Sequence, residues 1–316
     1  MRPTGKLHLG NLVGALENWV VLEKDFDSFH FIADYHALTT NLDTSHIEED
    51  SFDMVVDWLA AGIDPVLSPI FRQSQIKEHS ELFLILSMLI TTARLERNPT
   101  LKDQVRDLHQ ESISYGHLGY PVLQAADVLM YKANAVPVGE DQLPHVEIAR
   151  ELARRFNLQF GDIFPEPEPK VTVFPRLPGT DRNKMSKSLN NAILMSDEPD
   201  TVKTKLRGAI TDELKIRKND PGRPEVCLIF TYHKKFNPAE LSEIETDCRS
   251  GALGCVECKQ KCGIKINEYL APIIERRKEF ETQPNIIHDI LADGEQRARE
   301  VAKTTMQEVR QAMRIG

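Results

Sequence analysis

No apolar run in this chain approaches the roughly 20 residues that a membrane-spanning helix requires; the longest, residues 82–90, is short and carries Ser87. No secretory signal precedes the first glycine-rich motif, so the expectation is a cytoplasmic protein that spans no membrane. No internal repeat is present, which excludes a solenoid or a propeller. Basic charge is also in deficit. With 39 Lys and Arg against 48 Asp and Glu, the formal charge is −9. Contacts to a polyanion must then come from local clusters rather than from the surface as a whole. Residues 215–218 and 276–278 are the candidates, and each reads equally as an ordinary solvated face. Cysteine is scarce, five in 316 residues, yet four of the five lie between positions 248 and 262.

What the chain does have is length enough for two domains and a sizeable core. Residues 29–33 read as a buried strand, 46–61 as a helix, 69–71 as a short strand and 81–97 as a long apolar helix. Further on, 120–131 reads as helix, 135–138 as strand and 142–156 as helix. This alternation argues for an α/β fold, a parallel sheet with helices on both faces. A Pro-rich excursion at 164–169 leads into a lysine-rich loop, and from about 191 helical periodicity replaces strand signals. The expectation is a Rossmann-like parallel-sheet catalytic domain over 1–190, followed by an all-helical C-terminal domain over 191–316.

Two motifs carry the chemistry. Near the amino terminus, Gly5 and Gly10 bracket Lys6, Leu7, His8 and Leu9, and apolar residues at helical spacing follow Asn11. Glycines let the backbone turn tightly against a ligand, and a helix start favours an anion. The bland alternative is a glycine turn with a capping Asn and a structural histidine. The second motif, Lys184-Met185-Ser186-Lys187-Ser188, is a loop whose two ammonium groups can stabilise charge developing on departing pyrophosphate; an exposed Lys/Ser run is its bland reading. Together they suit a site that holds the phosphates of ATP from both sides.

At these residues the chain resembles the class I aminoacyl-tRNA synthetases. His8-Leu9-Gly10-Asn11 is similar to their HIGH signature, with Asn in place of the last His, and 184–188 matches their KMSKS loop letter for letter. The stretches 118–127 (LGYPVLQAAD) and 136–142 (VPVGEDQ) resemble the specificity helix and nucleotide loop of the bacterial tryptophanyl-tRNA synthetases. The resemblance covers essentially the whole chain. It implies an ATP- and tryptophan-binding catalytic domain, a helical domain that recognises the tRNA anticodon, and a homodimer. It further implies that the carboxylate of L-tryptophan attacks the α-phosphorus of ATP, bound with Mg2+, and that tRNA(Trp) then takes the aminoacyl group. His8, Asn11, Lys184 and Lys187 would be the catalytic residues. Thr4, Gly5, Gly10, Gly139, Asp141, Met185, Ser186 and Ser188 would join the two lysines around ATP, and His36, Tyr120, Gln124, Asp127 and Gln142 would hold tryptophan. Tyr120 and Gln142 match the positions that hold the amino group.

Asp127 also stands on its own chemistry. A carboxylate on an apolar helical stretch needs a donor. It could cap a backbone group, or accept the indole N–H and so reject phenylalanine. His36, at a strand end, could line a ligand or be a satisfied core histidine. Gln124 departs from the Met of many bacterial members. Tyrosyl-tRNA synthetases share much of this pattern; Val138-Gly139-Glu140-Asp141-Gln142 and the small Ala125-Ala126 pair favour the tryptophan type. A binding paralogue with reduced catalysis, or an iron–sulfur sensor on this scaffold, is the alternative outside the enzyme class.

Clustered cysteines in a cytosolic protein argue for metal over disulfides. Cys248, Cys255, Cys258 and Cys262 could give a four-thiolate zinc site, and four thiolates also suit an iron–sulfur cluster. The spacing of Cys227, Cys248, Cys255 and Cys258 resembles that of a subset of bacterial tryptophanyl-tRNA synthetases with a 4Fe-4S cluster, although the first gap differs slightly and Cys262 is additional. By itself Cys227 reads as a small buried hydrophobe. Family members also carry a short strand before the segment that matches residues 1–5; without it, neighbouring backbone groups are expected to lie unpaired.

Overall fold

The computed structural model describes residues 1–107, 112–171 and 177–315. Four short strands are present among these: β1 (His30–Ile32), β2 (Ile70–Arg72), β3 (Ala135–Val138) and β4 (Glu168–Val171). β1 pairs in parallel with β2, His30 opposite Ile70, and β3 in parallel with β4, Ala135 opposite Glu168. Parallel strands joined through helices make this a Rossmann-like α/β unit. β4 falls in the Pro-rich run and was not expected. Proline lacks the N–H that a ladder uses, which hides such a strand from a pattern reading. The edge beside β1 is occupied by the first residue. The Met1 amino group donates to the Phe31 carbonyl at 2.7 Å, and the Ala33 N–H donates to the Met1 carbonyl at 2.7 Å. The Phe31 carbonyl and the Ala33 N–H are therefore partnered there. Burial lowers the Met1 amine to about 5.

Local sequence explains where the helices differ from expectation. The long helix expected over 81–97 is two, Glu78–Ser87 and Thr92–Glu96. Ser87 Oγ donates to the Leu84 carbonyl at 2.6 Å, and Thr91 caps the second helix by accepting the Arg94 N–H at 3.3 Å. The helix expected over 120–131 starts a turn earlier, as Tyr115–Met130, because Ser114 Oγ accepts the His117 N–H at 3.0 Å. Pro121 stands inside it, which obscures the true start in the sequence. From Pro199 onward the regular elements are all helical, ending in Cys255–Glu281 and Pro284–Met313. No helix among the described residues is long and apolar enough to cross a membrane.

Two hydrophobic cores hold these elements together. In the first, Leu7, Leu9, Leu12 and Leu16 meet Met54, Trp58 and Leu59 from the helix Ile47–Ala61, and Ile266, Leu270 and Ile273 from Cys255–Glu281. In the second, Leu82, Leu86, Val122, Leu129, Leu152 and Phe156 meet Ala298, Ala302, Met306 and Val309 of the last helix. Residues from both sides of position 190 thus share each core. The last helix crosses β2 so closely that a Cβ on Gly294 would stand 2.0 Å from the Ile70 carbonyl oxygen, which only glycine avoids.

Candidate active site

The helix that starts the chain is capped by His8, not by Asn11. His8 Nδ1 accepts the Asn11 N–H at 3.2 Å, while Asn11 Oδ1 accepts the His8 N–H at 3.1 Å, a reciprocal capping box. Burial, then the charges of Lys187 and Lys184, lower His8 to about 4, so the ring is neutral near pH 7. With Nδ1 accepting, its proton sits on Nε2, a donor suited to a phosphate oxygen.

Backbone bonds tie this motif to the chain that follows the lysine loop. The Leu9 N–H donates to Ile193 O and the Met195 N–H to Leu7 O, both at 2.9 Å. The loop itself is anchored by Met185, whose sulfur receives the Gly10 N–H at 3.4 Å and which is only 2% exposed. Asn191 closes it: its Oδ1 accepts the Ser186 N–H at 2.8 Å and its amide donates to Lys184 O at 3.0 Å. Burying the methionine leaves both loop lysines exposed. Ser186 and Ser188 bond to each other at 2.8 Å.

Gly5 has φ +73°, and a Cβ there would lie 2.6 Å from Asp50 Oδ1 and 3.2 Å from Lys187 Nζ. The lysine of the loop therefore reaches the glycine turn. Burial lowers the Lys187 pKa, and Asp50, Asp57 and Asp53 pull against that. Thr4 is exposed beside it.

The carboxyl ends of β1 and β2 open on a second group, where ligands bind in such sheets. Asp127 Oδ2 is 2.8 Å from His36 Nε2; Asp127 Oδ1 accepts Gln73 Nε2 at 2.6 Å and lies 2.6 Å from His79 Nδ1. Asp127 is 3% exposed. Burial pushes its pKa up, but the bonds from His36 and His79 outweigh it and hold the carboxylate at about 2. His79 Nε2 is 2.8 Å from the Tyr131 hydroxyl. Sequence reasoning placed His36 and Asp127 here and missed Gln73, His79 and Tyr131. A His on an apolar helix face gives no distinguishing signal, whereas Gln73 directly after a strand could have been read from its position.

Three donors occupy three of the carboxylate's roughly four acceptor positions, which leaves one on Oδ2. Gln73 Oε1 is buried and has no partner among the described residues. Two acceptors wait there. That arrangement suits a ligand group that donates.

Tyr120 is buried with its ring 6.4 Å from that of His36, and its hydroxyl is 2.6 Å from His145 Nε2. Gln124 is half-buried a turn before Asp127. Gln142 donates to Asp141 Oδ2 at 3.0 Å, and the Asp141 carbonyl accepts the Thr100 hydroxyl at 3.0 Å. A Cβ on Gly139 would come within 2.8 Å of Asp141 Oδ1, at the end of that side chain.

The basic clusters are used only in part inside the protein. Lys215 is 8% exposed with its ammonium on the Asp220 carbonyl. Arg276 donates to Ala60 O at 2.7 Å, Arg277 binds Asp53 and Asp57, and Lys278 pairs with Glu198 at 3.3 Å. Arg217, Lys218 and Lys278 are exposed.

Cys227 caps the helix Leu228–Phe236, Cys248 lies on Leu241–Ser250, and Cys255 and Cys258 begin Cys255–Glu281. Burial, then the neighbouring thiols of Cys227, Cys248 and Cys255, raise Cys258 to about 12. Cys248 rises by burial and then by Cys227. Cys262 is buried one turn further on. The four expected ligands are neighbours, but among the described residues no group of three or more His, Cys, Asp or Glu is arranged to hold a metal ion.

The sequence profile described as tRNA synthetases class I (W and Y) matches residues 1–271. Tryptophan–tRNA ligase of Thermotoga maritima is 48% identical over 321 residues, covering 100% of this chain and 98% of the relative. The ligase of the same name from Aquifex aeolicus is 42% identical over 388 residues, again covering 100% and 98%. The crystal structure of tryptophanyl-tRNA synthetase from Campylobacter jejuni, complexed with ADP and tryptophan, superposes with a TM-score of 0.88 at 35% identity, covering 100% of this chain and 98% of that one. The chain belongs to the class I tRNA synthetases of the tryptophan and tyrosine group.

Proposed function

We infer that, within this group, the enzyme is a tryptophan–tRNA ligase, which activates L-tryptophan with ATP and transfers it to tRNA(Trp). One observation carries the choice of amino acid. The pocket around Asp127 presents two acceptors without a partner, a lone pair of Asp127 Oδ2 and Gln73 Oε1. An indole N–H donates and accepts nothing, so it matches. Phenylalanine would leave both acceptors empty.

In the first step a carboxylate oxygen of tryptophan bonds to the α-phosphorus of Mg2+-bound ATP. The bond to the bridging oxygen breaks, and pyrophosphate leaves with the electron pair. No protein nucleophile is required; positioning and charge stabilisation supply the acceleration. The neutral His8, Asn11 and Gly10 face the phosphates at the helix start, and Thr4 and Gly5 line the turn. Lys184 and Lys187 close over the pyrophosphate on the loop that Met185 anchors. Gly139 and Asp141 serve the adenosine side. His36, Tyr120, Gln124 and Gln142 surround the amino acid. A terminal hydroxyl of tRNA then attacks the aminoacyl carbonyl and AMP departs. The Campylobacter relative was solved with ADP and tryptophan, the two kinds of ligand that this reading requires.

Residues 1–190 form the catalytic domain and 191–316 the tRNA-binding one. Cys227, Cys248, Cys255 and Cys258 would hold a 4Fe-4S cluster, with zinc as the other metal that thiolates suit. The metal reading is supported by the neighbouring thiols of Cys227, Cys248 and Cys255 around Cys258 and by a glycine, Gly222, whose Cβ would fall 2.5 Å from Cys248 Sγ. Such a group would brace the helices that carry it. A homodimer would cover the exposed side chains of Leu84, Met88 and Tyr115, which flank an apolar cleft lined by Phe83, Leu118 and Val122. The enzyme works in the cytoplasm.

The test is exchange of labelled pyrophosphate into ATP, with tryptophan and tyrosine in parallel and iron, sulfide and zinc measured on the same preparation. Exchange with tryptophan alone is expected. Exchange with tyrosine, or with neither, overturns the assignment, and a protein without iron or zinc overturns the metal.

A further inference from the structure

The hydroxyl of Tyr120 ends a chain of hydrogen bonds whose direction can be read from its far end. The Thr100 backbone N–H, which can only donate, lies 3.0 Å from Asn98 Oδ1. That fixes the side-chain amide of Asn98, so its NH2 faces the other way, 3.1 Å from His145 Nδ1. An amide NH2 also only donates; His145 Nδ1 is therefore bare, and a neutral imidazole then carries its proton on Nε2. Nε2 is 2.6 Å from the Tyr120 hydroxyl oxygen, which must accept. Asn98 and His145 are each 1% exposed, so water does not compete for these bonds. Burial, then His36, lower His145 to about 4, which keeps the ring neutral near pH 7.

We propose that Asn98 and His145 are positioning residues that lock the Tyr120 hydroxyl so that its proton and one lone pair face the substrate. The relay takes one lone pair of the oxygen through His145. What remains at this single atom is one donor and one acceptor, beside His36 of the amino-acid pocket. That pair matches the adjacent carboxylate and ammonium of an α-amino acid. With the relay reversed, Tyr120 would spend its proton on His145 and offer acceptors only. The role assigned to Tyr120 rests on the proposed function; the direction of the relay does not.

Two measurements test it. The first is long-range proton–nitrogen NMR of the full chain labelled with 15N-histidine, His145 being assigned by the signal lost in His145→Gln. A neutral ring protonated on Nε2 at pH 7 is expected; a proton on Nδ1, or an imidazolium, overturns the proposal. The second is pyrophosphate exchange. The conservative His145→Gln can still accept from Asn98 and donate to Tyr120, so its KM for tryptophan should stay within about threefold of the parent. His145→Leu should raise that KM roughly tenfold and leave the KM for ATP unmoved. Equal effects of the two substitutions, or an equal change in the KM for ATP, indicate a packing role and overturn the proposal. If the parent shows no tryptophan-dependent exchange, the proposed function fails, and the NMR result still decides the relay.

Discussion

A lysine placed near a glycine turn does little in the absence of an anion, and Lys187 is in that situation. It reaches Gly5 beside Asp50, exposed on a loop anchored by the buried Met185 and Asn191. When pyrophosphate departs, charge develops where this ammonium can follow it. Lys187→Ala should therefore lower the pyrophosphate-exchange rate on the order of a hundredfold while tryptophan binding, followed by calorimetry, stays within about threefold. Normal exchange in that variant would sink the role. The lysines, His8 and Asp127 were legible because residue type and spacing together make a rare pattern. Gln73, His79, Asn98 and His145 were not. Their importance lies in which atom faces which, and a lone buried histidine has the same sequence appearance whether it aims a catalytic group or fills a core.

Among the elements, the helix Cys255–Glu281 joins two distant features. Its first turn bears Cys255 and Cys258; near its other end Arg277, 2% exposed, binds Asp57 and donates to Asp53 Oδ1 at 2.9 Å. Asp57 in turn accepts the Leu7 N–H at 2.6 Å, directly before His8. Burial raises Asp57 to about 6 against the pull of Arg277 and Leu7, so near neutral pH it is a buried carboxylate that depends on its arginine. Arg277→Met removes the partner and should cost about 3–5 kcal/mol of stability, read from the urea midpoint. A loss under about 1 kcal/mol, in the range typical of a surface pair, would show that Arg277 is not needed there. The arginine stood in a run that the sequence offered either as a candidate for phosphate contacts or as a solvated face. Clustered charge reveals nothing about burial, and Asp57 lies 220 residues away in the chain. The break at residues 88–91 and the strand in the Pro-rich run escaped for a related reason: both are set by individual caps and pairings that override periodicity.

At the scale of the whole molecule, the α/β alternation and the helical C-terminal stretch were readable because periodicity reports which face of an element is buried. It does not report the partner. That the last helix packs back on Leu82, Leu86 and Val122, across a glycine at β2, follows only from the folded chain. This packing braces the strand end that delivers Gln73 and the helix that carries His79, so an element from the far end of the sequence backs the amino-acid pocket.

The central claim is that Asp127 reads the indole N–H in a pocket of acceptors. Steady-state pyrophosphate exchange by Asp127→Asn, beside the parent enzyme and with folding checked by circular dichroism, tests it most directly. Asparagine keeps the shape but loses the charge, and turns an NH2 toward a histidine donor or toward the ligand. The account predicts a fall in kcat/KM for tryptophan of roughly a hundredfold, with the KM for ATP unchanged. A folded variant whose kcat/KM for tryptophan stays within about threefold of the parent would contradict it.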